Sequence, residues 1–281
     1  MSKIVELFGH YNAAQVDWQQ VAIEQQCPFL GRKCIKIRKS QPEISIGTCT
    51  VQYGKKEQQV VICPHRFRER QQVFLDCIHL LTQHEPGNEL HLVSEVAVPG
   101  GSVDYFLVSS FKRRVCDFVG IELQTLDTTG TVWPERQKFL REHSLEVGDN
   151  LANLPKSFGM NWKMTAKTIL VQLHHKIQTF EHLNKHFVLV IQNVFADYMK
   201  REFNFSHIDT VRLGDPMHFH SYELVLSDEE LKIQLAERFS TDTDGIGKCL
   251  GLQAEARIEL EVIIKQLEIK ISDRTLFRIA G

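Results

Sequence analysis

Two apolar runs joined by a short basic turn constrain this chain more than any other feature: SVDYFLVSS at 102–110, Lys112-Arg113-Arg114, then DFVGIELQ at 117–124. Side chains on an extended strand alternate faces, so Val119, Ile121 and Leu123 share one face while Glu122 and Gln124 share the other. Two strands with so short a connection pair as a hairpin or at least lie as neighbours. The chain is thereby committed to a sheet, one strand of which presents a carboxylate and an amide two residues apart.

Around this pair the pattern is mixed. Residues 1–25 read as a leader, helical through NAAQVDWQQVAIEQQ. KCIKIRK, GTCTVQYG and QQVVICPHRF alternate as short strands, and 69–84 reads as a helix. ELHLVSEVAVP runs to a turn at Gly100-Gly101. Apolar residues at 169, 170, 173, 177, 180 and 183 mark one face of a long helix, and the strand HFVLVIQ follows it. PMHFHSYELVL is a further strand. Ser227 and Glu230 form a capping box that opens a helix over SDEELKIQLAERF, and 252–269 reads as a final amphipathic helix. DTDG at 242–245 lacks the glutamate that completes a calcium loop and is read as a turn. Such a mixture predicts an α/β or α+β domain from about residue 85.

With 281 residues and 43% apolar content, a sizeable core needs no disulfide support. No apolar run reaches about eighteen residues, and MSKIVELFGHYN lacks the basic-then-apolar start of a secretory signal. The expectation is a soluble cytoplasmic protein without a membrane partner.

The net charge of −2 conceals an uneven distribution. Between Cys27 and Arg70 ten basic residues face three acidic ones, a local +7 that leaves −9 for the rest. That segment suits a polyanion, although charge runs are commonly just solvated surface. It also holds four of the seven cysteines, Cys27, Cys34, Cys49 and Cys63, spaced C-x6-C-x14-C-x13-C. In a reducing compartment clustered cysteines are more often metal ligands than disulfides; the plainer alternative is four small buried residues. Cys77, Cys116 and Cys249 read as isolated buried residues.

If the two strands pair, Asp104, Glu122 and Gln124 come to one edge, and Glu95, ahead of the Gly-Gly turn, can fold back beside them. A metal-dependent phosphodiesterase needs carboxylates close enough to share a divalent cation, which polarises the phosphoryl oxygen and acidifies a bound water. By itself the pattern is weak, since solvent-facing Glu and Gln on an edge strand need no explanation. His218 and His220 share a strand face, a spacing that suits a second metal site, but strand histidines facing a polar groove or a satisfied core are the commoner case. Trp133-Pro134 and Trp162 read as core or turn anchors.

Taken in order, Glu95, Asp104, Glu122 and Gln124 resemble the PD-(D/E)xK nuclease site in the version where glutamine replaces the usual lysine. Preceded by CPFLGRKC, GTC and VICPHRF and continued by GIELQTLDTTGTVWPERQ, the chain resembles the NotI-type restriction endonucleases over roughly residues 20–225. The resemblance implies an α/β fold: a restriction-endonuclease-like core, a mixed sheet flanked by helices, in 85–281, with an N-terminal four-cysteine metal-binding, DNA-facing subdomain in 1–84. It implies a type II enzyme of a restriction-modification system, a homodimer cutting double-stranded DNA at a GC-rich palindrome. Asp104 and Glu122 would ligate the catalytic Mg²⁺, Gln124 would stand beside the attacking water, and Glu95 would assist. Cys27, Cys34, Cys49 and Cys63 would hold a structural metal, iron by resemblance where spacing alone suggests zinc.

Two departures stand out. Val103 replaces the proline that names the superfamily, and Gln124 replaces lysine, an amide being unable to act as a general base. Arg32, Arg38, Arg66 and Arg68 are the candidates for reading bases, since bidentate arginine to guanine is the commonest specific contact. Two alternatives stay open: a catalytically inactive, metal-stabilised DNA-binding protein, and a repair or junction nuclease of the same fold.

Overall fold

The computed structural model describes residues 1–145, 158–208, 210–227, 230–252, 264–265 and 268–269. The helix expected over 252–269 lies largely outside the described residues. The chain opens on strand β1 (Ile4–Leu7) and β2 (His10–Tyr11), then helix α1 (Trp18–Glu24), capped by the Asp17 carboxylate. Short strands follow: β3 (Gln26–Cys27), β4 (Arg32–Lys33), β5 (Ile37–Arg38), β6 (Gln41–Ser45), β7 (Thr48–Tyr53) and β8 (Gln58–Val61). Strands β2, β1, β7 and β8 form one antiparallel sheet; β3 pairs with β4 and β5 with β6. The supposed leader therefore contributes a strand, because Ile4 and Leu7 are apolar enough to be fully buried beside β7. KCIKIRK yields only two-residue pieces.

The helix expected over 69–84 is not formed. A 3₁₀ segment (Pro64–Gln71), the four-residue α2 (Gln72–Leu75) and a 3₁₀ turn (Ile78–Leu80) replace it. Arg70 and Gln71 have φ of 48° and 56°, and a right-handed helix cannot run through left-handed residues. Nearby tertiary bonds fix the break: Glu69 accepts from the guanidinium of Arg66 and from the backbone N–H of Ile233.

The central sheet comprises β9 (Glu89–Val98), β10 (Gly101–Phe111), β11 (Arg114–Leu123), β14 (His186–Gln192), β15 (Met217–Ser227) and β16 (Glu230–Thr241). Between β11 and β14 come β12 (Thr128–Thr129), α3 (Trp133–Glu142), β13 (Gly159–Met160) and α4 (Trp162–His182). Helix α5 (Asn193–Glu202) links β14 to β15, and α6 (Thr243–Cys249) follows β16. The order is β16-β15-β14-β11-β10-β9, with β11, β14 and β15 parallel and the outer strands antiparallel. This is a mixed α/β architecture with a large mixed sheet.

Strand β16 overturns the helix expected after Ser227. Leu231 and Ile233 are buried at period 2, and the segment completes a ladder along the length of β15. An open sheet edge outweighed a local capping signal. DTDG is not merely a turn either: the Asp242 carboxylate accepts from Gly245 N at 2.8 Å and caps α6.

Alternation divides the sheet into two cores. Val119, Ile121, Leu123, Val188 and Val190 pack against Phe67, Val73, Phe74 and Leu80. On the other face Phe187, Leu189 and Ile191 meet the predicted α4 stripe of Ile169, Leu170, Leu173, Ile177 and Phe180. That second cluster also takes in Ile4, Leu7, Val51 and Val60, so the N-terminal sheet and the α4 face share one core. Full burial of a side chain such as Phe180 is worth roughly 1.5–3 kcal/mol. At Gly120 of β11 an added Cβ would lie 2.6 Å from the Phe180 ring, which sets how closely α4 approaches the strand carrying Glu122.

Candidate active site

Three acidic residues meet on adjacent strands. The β10–β11 ladder pairs Tyr105 with Ile121, so one step on Asp104 stands opposite Glu122. The β9–β10 ladder pairs Val103 with Val96 and Tyr105 with Ser94, which sets Glu95 opposite Asp104 on the other side. Glu95 itself drops out of the regular pairing with φ of 56°, a conformation uncommon for a residue with a side chain. Such a local distortion within a strand re-aims a side chain.

Asp104 is half-buried, and its Oδ2 accepts from Leu123 N at 2.9 Å. Burial pushes its carboxyl above the usual carboxylate range, the Leu123 bond and the charge of Lys176 pull it back, and Glu95 raises it again. Glu122 lies on the face away from Val119, Ile121 and Leu123, as alternation requires, and points toward α4. There the ammonium of Lys176 donates to both its oxygens, at 2.9 and 2.8 Å. Burial raises the Glu122 carboxyl, the hydrogen bond from Lys176 opposes this, and the neighbouring charge of Asp104 adds to it.

Gln124 is placed differently. Strand β11 ends at Leu123, and the Gln124 amide donates to the carbonyl of Thr125 at 2.6 Å, so none of its hydrogen bonds reaches the acids. Sequence reasoning missed Lys176, which comes from α4, 54 residues beyond Glu122. One signal pointed to it: a lysine three residues after Leu173 and one before Ile177 sits inside the apolar stripe of the helix.

A cleft of about 310 Å³ opens over Glu95 and Asp104, and Arg32, His65, Arg68 and Tyr105 line its other sides. The Arg68 guanidinium stacks 5.6 Å from the Tyr105 ring centre. Among the base-reading candidates, Arg32 and Arg68 thus stand at the acids. Arg38 bonds to Gln41 at 2.6 Å and stacks 4.2 Å over Trp133. Arg66 is removed from the set of DNA readers: it is fully buried, bonded to Glu6, Glu69 and the carbonyl of Leu231. A side chain with no exposed surface cannot reach a base edge.

All four clustered cysteines carry free thiols, Cys27, Cys49 and Cys63 buried and Cys34 half-buried. Cys27-Pro28 and Cys63-Pro64 make matching turns. Backbone N–H groups of Phe29 and Leu30 favour the Cys27 thiolate, and those of His65 and Arg66 favour that of Cys63. A hydrogen bond from Cys49 brings the Cys63 thiol down to about 6, while Cys49 is pushed well up. Cys34 and Cys63 both act electrostatically on Cys27, and Cys63 and Cys27 act on Cys49. Among the described residues, no three His, Cys, Asp or Glu side chains are grouped tightly enough to hold a metal ion as they stand.

His218 and His220 are buried in the core, but they are not the fully satisfied histidines expected, since Nδ1 of His218 and Nε2 of His220 have no hydrogen-bond partner among the described residues. His218 Nε2 meets the Asp215 carbonyl at 2.8 Å, and His220 Nδ1 lies 3.8 Å from the Cys77 sulfur. Trp133 is likewise buried, at the start of α3. No helix among the described residues is long and apolar enough to cross a membrane.

No curated protein matches the chain in sequence. A family model described as restriction endonuclease NotI does match, across residues 12–213, a span that holds all four clustered cysteines, the three acids and Lys176. Covering well over half of the sequence, the match supplies what residue patterns gave only as a likeness: the chain belongs to the NotI restriction endonuclease family, whose members are nucleases acting on DNA.

Proposed function

We propose that this protein is a type II restriction endonuclease that hydrolyses phosphodiester bonds of duplex DNA at a specific, GC-rich palindrome. Family membership supplies the nuclease class. The observation that carries the finer reading is the meeting of Glu95, Asp104 and Glu122 on three adjacent strands, with Arg32 and Arg68 across the cleft.

The residues fit a divalent cation on chemical grounds. The ammonium of Lys176 bonds Glu122 and acts on Asp104, both carboxyls are raised by burial, and each feels another acid's charge, Asp104 that of Glu95 and Glu122 that of Asp104. A cation offsets such an excess of negative charge. Asp104 and Glu122 would hold Mg²⁺, with Glu95 assisting. When bound, the metal polarises a phosphoryl oxygen and acidifies a water. The remaining work falls to the chain: Asp104 is oriented by the Leu123 N–H, Glu122 by Lys176, and Arg32 and Arg68 present positive charge where a phosphate would enter. Gln124 would contribute to the water's surroundings only if its amide left the Thr125 carbonyl.

The four cysteines fit a structural iron or zinc by their donor set. Thiols within each other's fields, two of them receiving backbone N–H groups at Cys-Pro turns, suit a tetrahedral thiolate site. In this reading 1–84 is the metal-tied, basic, DNA-facing part and 85–281 the nuclease part. Two-fold recognition of a palindrome implies a homodimer. A place in a restriction-modification system and a cytoplasmic location complete the proposal.

Purified protein incubated with varied plasmid DNA and Mg²⁺ is expected to give discrete fragments, whose sequenced ends report the target and the stagger. Smearing, or cutting selective for junctions, would favour a repair nuclease instead. DNA binding without cleavage under any divalent ion would favour an inactive binding protein.

A further inference from the structure

We propose that Lys176 is a positioning residue of the site, orienting Glu122 from helix α4. The inference rests on the nuclease reading above.

Three observations converge. The ammonium of Lys176 donates to both oxygens of Glu122, at 2.9 and 2.8 Å, and the two side chains are only 5% and 12% exposed. A buried ion pair is a poor device for stability alone, because removing two charges from water costs much of what their attraction returns, and a well-packed apolar pair often does as well. Its occurrence beside two further carboxylates calls for another reason.

The second observation lies in the turn between β9 and β10. Gly100 has φ of +93°, and a Cβ on it would lie 3.0 Å from the backbone of His175 and Lys176. A Cβ on Gly101 would lie 3.4 Å from Lys176 Cε. Two consecutive residues without side chains therefore let the helix come close to the turn at the one place where it delivers the lysine. The third is that the Gln124 amide is spent on the Thr125 carbonyl, so the hydrogen bonds from Lys176 are what orients Glu122.

Lys176 acts through Glu122. Its two hydrogen bonds fix the carboxylate's orientation on the strand. Its charge also reaches Asp104. Being buried, the ammonium has no route to the DNA backbone, so its removal should affect turnover rather than binding.

The test is single-turnover cleavage of the target DNA at saturating Mg²⁺ by wild-type protein and by Lys176→Met and Lys176→Arg, with DNA half-saturation measured alongside. Lys176→Met is expected to lose at least about 100-fold in rate, about 2.7 kcal/mol of barrier, while half-saturation stays within about threefold. Lys176→Arg, which keeps the charge and the fork of donors, is expected to recover to within about tenfold of wild type. A Lys176→Met rate within threefold of wild type overturns the proposal. So does joint loss of rate, DNA binding and melting temperature in both variants, which would assign the lysine to the fold alone. If Lys176→Met does not fold, Lys176→Gln takes its place under the same criteria. A wild-type protein that cuts no DNA would instead remove the nuclease reading on which the inference stands.

Discussion

The guanidinium of Arg66 lies 2.9 and 3.0 Å from the two carboxylate oxygens of Glu6, with neither side chain exposed. The pair joins the first strand of the chain to the segment following Cys63, and the same arginine reaches Leu231 of β16. Thr50 donates a further hydrogen bond to Glu6. Burial raises the Glu6 carboxyl, and the nearby guanidinium opposes that. Replacing Glu6 by Ala would leave the buried guanidinium Nε without an acceptor while Glu69 and the Leu231 carbonyl keep the rest of the group paired, at a cost of about 1–3 kcal/mol. Chemical denaturation of Glu6→Ala against wild type measures the loss, and a loss below about 1 kcal/mol would count against the pair as a tie between the two sheets.

Asp104→Asn retains the shape and the bond from Leu123 N but removes the negative charge that the proposed cation would need. A loss of several kcal/mol of transition-state stabilisation corresponds to a cleavage rate lower by on the order of 1,000-fold. Rapid-quench measurement of plasmid cleavage checks it, with circular dichroism confirming an unchanged fold.

Cys63→Ser addresses the sulfur cluster. In thiolate metal sites the binding energy of the metal is folding energy, so the variant is expected to lose its metal by elemental analysis. Its melting temperature should fall by roughly 10 °C, the equivalent of about 3 kcal/mol in a chain of this size. An unchanged melting temperature and no metal in the wild type would return the four cysteines to the role of small buried residues.

The buried histidines give a pH dependence. Burial pushes His218 down to about 4 and His220 to about 3 from the ordinary value near 6.5. Below about 6.5 the unfolded chain binds protons that the folded chain refuses, so the stability tied to these rings is complete above that pH and is lost as pH falls toward 4. The slope is about 1.4 kcal/mol per pH unit for each ring in that window. Denaturant titrations of wild type and His220→Gln between pH 7 and 4.5 should show a shallower decline in the variant.

Gly120→Ala tests how α4 is held. The new methyl would meet the Phe180 ring at 2.6 Å, and overpacking of this kind costs about 1–3 kcal/mol. Since α4 carries Lys176, cleavage should fall along with stability.

Much of this protein is written in local periodicity. The alternation of Val119, Ile121 and Leu123 against Glu122 survives intact, because pleating alone dictates it. Pairing of β10 with β11 across a tight turn then fixes the register that sets Asp104 opposite Glu122. The α4 stripe was legible for the same reason, as was the grouping of four cysteines in one basic segment.

What the sequence could not determine depended on partners distant along the chain. Leu231 and Ile233 became a strand because β15 presented a free edge, Arg66 was buried because Glu6 reached it from sixty residues away, and Gln124 turned to Thr125 because β11 ends just before it. The ammonium facing Glu122 was decided last, by docking of α4 against a Gly-Gly turn. The physical reason is one of range: backbone sterics and side-chain alternation act over a few residues, whereas the neutralisation of a buried charge is settled only when separate elements pack together.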